Sequence, residues 1–136
     1  MKHFRRSLRR DKTGGAAIEA AFAIPVMIAL VIGIMQVGMF FLANAGLRQA
    51  VETGARYASI YPTPADADIV TRVRSNVYGM DADQVTVSTP VRATDSTNGQ
   101  DYIELTGTYP YTFKFIFFSS SAITLRYSRR IYLMPT

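Results

Sequence analysis

The chain has 136 residues, no cysteine and a single histidine, His3. This length allows one small domain beside a membrane segment. Without thiolates and with one imidazole, the chain can form neither a disulfide framework nor a zinc site or histidine-based triad. We therefore expect no metal and no cofactor.

The net charge of +5 arises in the first twelve residues, which hold six basic side chains and one acidic side chain. Beyond them the charges cancel, so the basic balance does not indicate a nucleic-acid partner. A basic segment beside an apolar span marks the cytoplasmic end of that span. The rest of the chain is then expected in the periplasm.

A long apolar run follows the basic segment. Residues 20–47 carry no charged side chain, and as a helix they would be about 42 Å long at about 1.5 Å per residue. A bilayer's hydrocarbon core needs only about 20 residues. We therefore predict a transmembrane helix over residues 15–47, since a buried core helix is rarely so long. Pro25 predicts a kink, because proline removes one backbone hydrogen bond.

The helical pattern continues over residues 48–61. Arg48, Glu52 and Arg56 alternate in charge at four-residue spacing, which predicts ion pairs along the helix. Small residues also recur at every fourth position, and they are Gly46, Ala50, Gly54 and Ala58. Such a stripe allows close approach by this chain's own sheet or by the helix of a neighbouring subunit.

Residues 62–136 are predicted to form a small α+β domain. Thr63 and Pro64 are typical of the N-cap and first residue of a short helix, and Gly79 of its end. After Gly79 the apolar period changes to two, which predicts roughly three antiparallel strands with one buried face. A turn over residues 94–100 joins the first two strands.

An unusually apolar segment separates the last two strands. Four of the six residues in 113–118 are phenylalanine. They would either complete the core under the long helix or touch the membrane surface or another subunit.

Glu19 is the one acidic residue close to the apolar run. A carboxylate at the edge of a membrane span is unfavourable unless it is paired or hydrated. If the chain were cut between Gly14 and Gly15, the new amino group would lie about 6 Å from Glu19 along the helix. The two charges could then pair within one helix or between neighbouring helices. Otherwise Glu19 is an interfacial residue among lipid headgroups.

The residues Gly14-Gly15-Ala16-Ala17-Ile18-Glu19 resemble the prepilin cleavage site of the tight-adherence (Tad, or Flp) type IV pilus system, with glycine before the cut and glutamate fifth after it. Two further motifs, Ala23-Ile24-Pro25 and Gly54-Ala55-Arg56-Tyr57-Ala58, are similar to those of the TadE-like pseudopilins. Ala20 departs from the pattern, because the family usually has an aromatic residue there. The C-terminal half matches in outline only.

This resemblance implies a pilin-like minor pseudopilin, a structural protein and not an enzyme, for pilus assembly in adherence and biofilm formation. Residues 1–14 would be a leader that a prepilin peptidase removes on the cytoplasmic side. The helix would remain in the inner membrane. Its partners would be other pilins or pseudopilins and the inner-membrane assembly platform.

Two other functions remain open. Ala43-Asn44-Ala45 is typical of a signal-peptidase site, and cutting there would release a soluble binding or adhesive domain that begins at Gly46. The apolar run exceeds the usual signal length of about 7–15 residues, which disfavours this alternative. The second is an envelope hydrolase with paired carboxylates, although these are better explained as solvated surface charge. The candidate pairs are Asp81 with Asp83 and Asp101 with Glu104.

Overall fold

The computed structural model describes residues 13–60, 62–115 and 118–133. Within these ranges a long helix, α1 (Thr13–Ala58), precedes a short helix, α2 (Asp66–Arg74), and a 3₁₀ turn (Ala82–Gln84). Four strands follow: β1 (Thr86–Val87), β2 (Val91–Thr94), β3 (Asp101–Tyr111) and β4 (Ile123–Tyr132). The predicted α+β class with a long N-terminal helix is confirmed. Most of the predicted leader, residues 1–12, lies outside the described residues.

α1 is one continuous helix of 46 residues, which corresponds to about 69 Å at about 1.5 Å per residue. It continues through Pro25, and the kink there stays a prediction. The most apolar 18 residues have a mean hydropathy of 2.5. The helix is therefore long and apolar enough to cross a membrane.

The sheet is antiparallel and has β3 at its centre. β4 pairs with one edge of β3, from Tyr102 opposite Tyr132 to Tyr111 opposite Ile123. β1 and β2 pair with β3 in succession along its other edge. The first predicted strand is divided here because Pro90 cannot donate a ladder hydrogen bond. Residues 88–90, between β1 and β2, lie opposite only two residues of β3, 105–106. The extra residue is a β-bulge between β1 and β2. The sheet is thus three strands wide but has four strands.

α2 begins later and ends earlier than the sequence predicts. Its N-cap is Ala65, which makes no side-chain cap bond, so the capping role predicted for Thr63 is wrong. Pro64 precedes the helix instead of opening it, and two aspartates in the first turn complement the helix dipole. The helix ends at Arg74, ahead of the predicted stop at Gly79.

The core lies between the C-terminal part of α1, α2 and one face of the sheet. β3 alternates strictly between buried and less buried residues, which confirms the predicted inward face. Burying a large aliphatic side chain contributes about 1.5–3 kcal/mol, so a handful of such residues holds the domain against α1. The largest fully buried side chains are Leu47, Val51, Ile69, Val73, Val85, Ile103 and Leu105.

β3 runs antiparallel to α1. Leu105 lies against Gly54, and further along the strand Gly107 lies against Leu47. At the end of the strand, the Tyr111 hydroxyl reaches the backbone of Gln36. The end of the β3–β4 hairpin therefore points towards the N-terminal, most apolar part of α1.

Candidate functional site

α1 consists of two halves that differ in what covers them. Residues 14–31 are exposed on every side, including large side chains such as Phe22 and Leu30, which are 74% and 60% exposed. From Gln36 onwards one side of the helix contacts the domain. We call residues 14–35 the free half and residues 36–58 the docked half.

The predicted cleavage motif lies at the tip of the free half. Gly14 and Gly15 belong to the start of α1, and a Cβ atom built on either glycine meets no described atom within 4 Å. Glu19 is exposed as well. Gly15 and Glu19 are four residues apart and so share one helix face. The structure thus brings the two residues together on an open surface that is accessible from solvent.

The small-residue stripe is buried along the docked half. Gly46, Ala50, Gly54 and Ala58 are all buried. A Cβ on Gly46 would clash with the carbonyl oxygen of Tyr78, and one on Gly54 would clash with Val73. Of the two occupants considered, this chain's own domain covers the stripe, through α2 and the loop after it as well as through the sheet.

Glu52 bonds to the sheet and not to its neighbours on the helix. The Tyr127 hydroxyl donates a hydrogen bond of 2.6 Å to its carboxylate, and Arg129 Nε lies 3.6 Å away. The predicted ion pairs with Arg48 and Arg56 are therefore wrong; the Arg48 guanidinium stands 5.4 Å from the centroid of the Tyr127 ring. The pKa of Tyr127 is raised, mainly by the hydrogen bond to the Glu52 carboxylate and to a lesser extent by burial.

A second set of contacts, which the sequence did not indicate, joins α1 to the end of the hairpin. The Gln36 side-chain amide donates a hydrogen bond of 2.6 Å to the carbonyl of Lys114. The Tyr111 hydroxyl donates to the Gln36 carbonyl at 3.1 Å. Burial raises the pKa of Tyr111, which keeps the phenol protonated as the donor. Gln36 thus fixes the hairpin end to one level of the helix.

Stacked rings extend these contacts outwards. Phe113 lies 5.5 Å from Phe40 between ring centroids, 6.3 Å from Phe115, and Phe115 lies 4.7 Å from Phe118. The inner ring, Phe113, packs against the core, whereas Phe118 is 65% exposed. The first alternative is confirmed for Phe113, which completes the core. Contact with the membrane surface or another subunit stays a prediction, for which Phe118 is open. Residues 116–117 lie outside the described residues.

The predicted signal-peptidase motif lies inside the docked half. Ala43 is fully buried, and Phe40 contacts Phe113 through its ring. A cut after Ala45 would remove both residues from the domain and expose the apolar surface that they cover.

The paired carboxylates have structural partners. Asp81 accepts hydrogen bonds from the Asp83 backbone and from Gln84 at the 3₁₀ turn. Asp101 and Glu104 are three residues apart on one strand and so point to opposite faces of the sheet. No group of three or more potential metal ligands occurs among the described residues.

Glu104 belongs to a polar network on the outer face of the sheet. It accepts hydrogen bonds from Ser128 and Arg130, which hold its pKa below the ordinary value. The Arg130 guanidinium in turn lies 4.3 Å from the centroid of the Tyr102 ring. These contacts tie β4 to β3.

The family model described as TadE-like protein matches residues 14–56. The match begins at the first glycine of the cleavage motif and ends within the last of the three quoted motifs. It covers the free half of α1 and almost all of the docked half. The resemblance to TadE-like proteins is therefore confirmed over α1. No curated protein and no solved structure matches the chain.

Proposed function

We propose that this chain is a minor pseudopilin of a Tad-type pilus system, a structural subunit held in the inner membrane with its domain in the periplasm. The observation that carries the proposal is the position of the TadE-like match. It begins at Gly14, where a glycine–glutamate motif stands on the open tip of an apolar helix.

The free half has the dimensions of a membrane anchor. Residues 15–35 would be about 31 Å long at about 1.5 Å per residue, and a bilayer's hydrocarbon core is about 30 Å thick. Their apolar side chains are exposed on all sides of the helix, so water is an unfavourable surrounding for them. Lipid would solvate these side chains, while the docked half keeps the domain beyond the membrane surface.

Cleavage would convert the tip of this anchor into a charged pair. A prepilin peptidase that cuts between Gly14 and Gly15 creates an amino group with a reference pKa of about 7.7–8.0. That cation and the Glu19 carboxylate would pair within one helix or between adjacent subunits, which offsets the desolvation of both groups. The pairing would set the axial register of neighbouring pilins or pseudopilins at the assembly platform.

Sequencing the mature N-terminus tests the proposal. We expect the processed chain to begin Gly15-Ala16-Ala17-Ile18-Glu19, and Gly14→Leu to retain the leader. Gly33→Leu is the matched control, since Gly33 is also a helical glycine with open space beside it, and it should be processed normally. A mature chain that begins at Gly46, or an intact Met1 in cells with an active prepilin peptidase, would refute the mechanism.

A second experiment separates assembly from processing. Glu19→Ala should still be cut and should stay in the membrane, because losing a carboxylate makes the anchor more apolar. An amino group buried without its partner is disfavoured by about 3–5 kcal/mol, so surface pili should be few or absent. Asp68→Ala, which removes an exposed carboxylate from α2, should leave piliation normal. If cells with Glu19→Ala form normal pili, the carboxylate has no role in assembly and Glu19 is only an interfacial residue among lipid headgroups.

A further inference from the structure

We infer that the end of the β3–β4 hairpin rests on the periplasmic surface of the membrane, with Phe118 inserted among lipid acyl chains and Lys114 at the headgroups. This inference rests on the proposed membrane anchorage. It assigns to the described part of the Phe-rich segment a lipid-contacting role that helps fix the height of the domain above the bilayer.

The level of the hairpin end along α1 is the first argument. Gln36 is the first polar side chain after Glu19, and its amide is hydrogen-bonded to the backbone of Lys114. Glu19 and Gln36 are about 26 Å apart along the helix at about 1.5 Å per residue, a few ångströms less than the hydrocarbon core of about 30 Å. If Glu19 lies near one edge of the bilayer, Gln36 lies near the other. Lys114 is therefore held where hydrocarbon gives way to headgroups.

The chemistry of the hairpin end is the second argument. Phe118 is 65% exposed and stacks on Phe115, which is itself partly buried. An exposed aromatic ring beside a cationic side chain is the composition of surfaces that lie at the headgroup–acyl boundary. Lys114 is exposed, and its long apolar stem lets the ammonium group reach the phosphates while the rings stay in hydrocarbon.

The third argument is that the rings of the hairpin end continue from α1, which favours lipid as the partner that covers Phe118. The stacked rings begin at Phe40 on α1 itself, four residues after Gln36, so the cluster of rings is continuous from the helix to the hairpin end. The opposite end of the sheet differs, because Tyr132 donates a hydrogen bond to Asp95 in a polar network. The apolar, lysine-bearing end is thus the one directed at the membrane.

Tryptophan fluorescence tests the inference directly, because the sequence contains no tryptophan. Phe118→Trp keeps an aromatic side chain at an open position, so the full chain should fold as before. It would be reconstituted in vesicles of phosphatidylethanolamine and phosphatidylglycerol that contain phosphatidylcholine brominated at shallow or deep acyl positions. We expect blue-shifted emission, quenched most strongly by shallow bromines.

Two single-tryptophan variants complete the design. Tyr132→Trp places the probe at the far end of β4, about 30 Å from Ile123 at the start of that strand at about 3.3 Å per residue. It should be quenched several-fold less than Phe118→Trp. Phe22→Trp lies in the free half and should be quenched most strongly by deep bromines. It reports the anchorage on its own.

The outcomes distinguish the two proposals. Quenching of Phe22→Trp without quenching of Phe118→Trp would overturn the lipid contact and leave the anchorage intact. Quenching of neither variant would overturn both. Blue-shifted but unquenched emission from Phe118→Trp that depends on protein concentration would place a second protein subunit on the ring, and would also overturn the lipid contact.

Discussion

The two halves of α1 are both rich in apolar residues, yet the chain covers only one of them. The free half has large apolar side chains on every side, whereas the docked half has a buried stripe of small residues on one side and, from Arg48 onwards, charged residues elsewhere. The absence of charge does not mark the boundary between the halves, since the uncharged run, residues 20–47, extends past it. The four-residue spacing of small side chains does, because a domain can approach a helix closely only over a smooth stripe.

The largest expected contrast comes from one leucine in each half. Leu47 is fully buried and Leu30 is 60% exposed. Leu47→Ala should lower the free energy of unfolding of the domain by about 2–5 kcal/mol, because it leaves a cavity. Leu30→Ala should change it by no more than about 0.5 kcal/mol. Urea unfolding in detergent, followed by near-UV circular dichroism, measures both. Equal effects would mean that the division of the helix is wrong.

A pair of glycines gives the next contrast, with opposite signs. A Cβ on Gly46 would meet the backbone of Tyr78, whereas one on Gly38 meets nothing within 4 Å. Gly46→Ala should destabilise the domain by about 1–3 kcal/mol through overpacking. Gly38→Ala should be neutral or should stabilise the helix by up to about 1 kcal/mol, since alanine is the better helix former. Stabilisation by both substitutions would contradict the close approach at Gly46.

The smallest effect concerns the polar contact that holds the docked half to β4. Tyr127→Phe removes the hydrogen bond to Glu52 and should lower the free energy of unfolding by about 1 kcal/mol. Tyr78→Phe is the control, because its hydroxyl makes no hydrogen bond with another described residue and the substitution should have no effect.

The same contact predicts a dependence on pH. The folded-state pKa of Tyr127 is raised above its ordinary value of 10.0, so the neutral phenol is favoured in the folded protein. Its contribution is therefore complete below pH 10 and is lost as the pH rises through the folded pKa. The difference between Tyr127→Phe and the parent chain should shrink in unfolding curves above that pH. If the difference in unfolding free energy stays constant as the pH rises, the hydrogen bond between Tyr127 and Glu52 does not account for it.

Much of the fold could be predicted because its signals are local. The uncharged run predicts α1, and the period of two predicts the inward face of β3. Pro90 could have indicated the break between β1 and β2, since proline does not fit a ladder. The predicted cap at Thr63 is wrong because tertiary contacts of Ile69 and Val73, and not local capping, decide where α2 lies.

The contacts that position the site were harder to predict because they join distant residues. Gln36 and Lys114 are 78 positions apart, and Glu52 and Tyr127 are 75 apart. A local rule pairs Glu52 with arginines one turn away, yet the fold offers a better partner across the core. The uncharged run also extends beyond the free half, since residues 36–47 bury part of their apolar surface against the domain.

α1 runs from the free half into the docked half without a break. A displacement of the free half along the helix axis is therefore passed on to the domain. Translating the helix along its axis by one turn would raise the hairpin end by about 5.4 Å. Rotating the helix about its axis by the angle between successive residues would rotate the domain by about 100°. The height of the domain and its orientation about the helix axis therefore depend directly on the position of the free half.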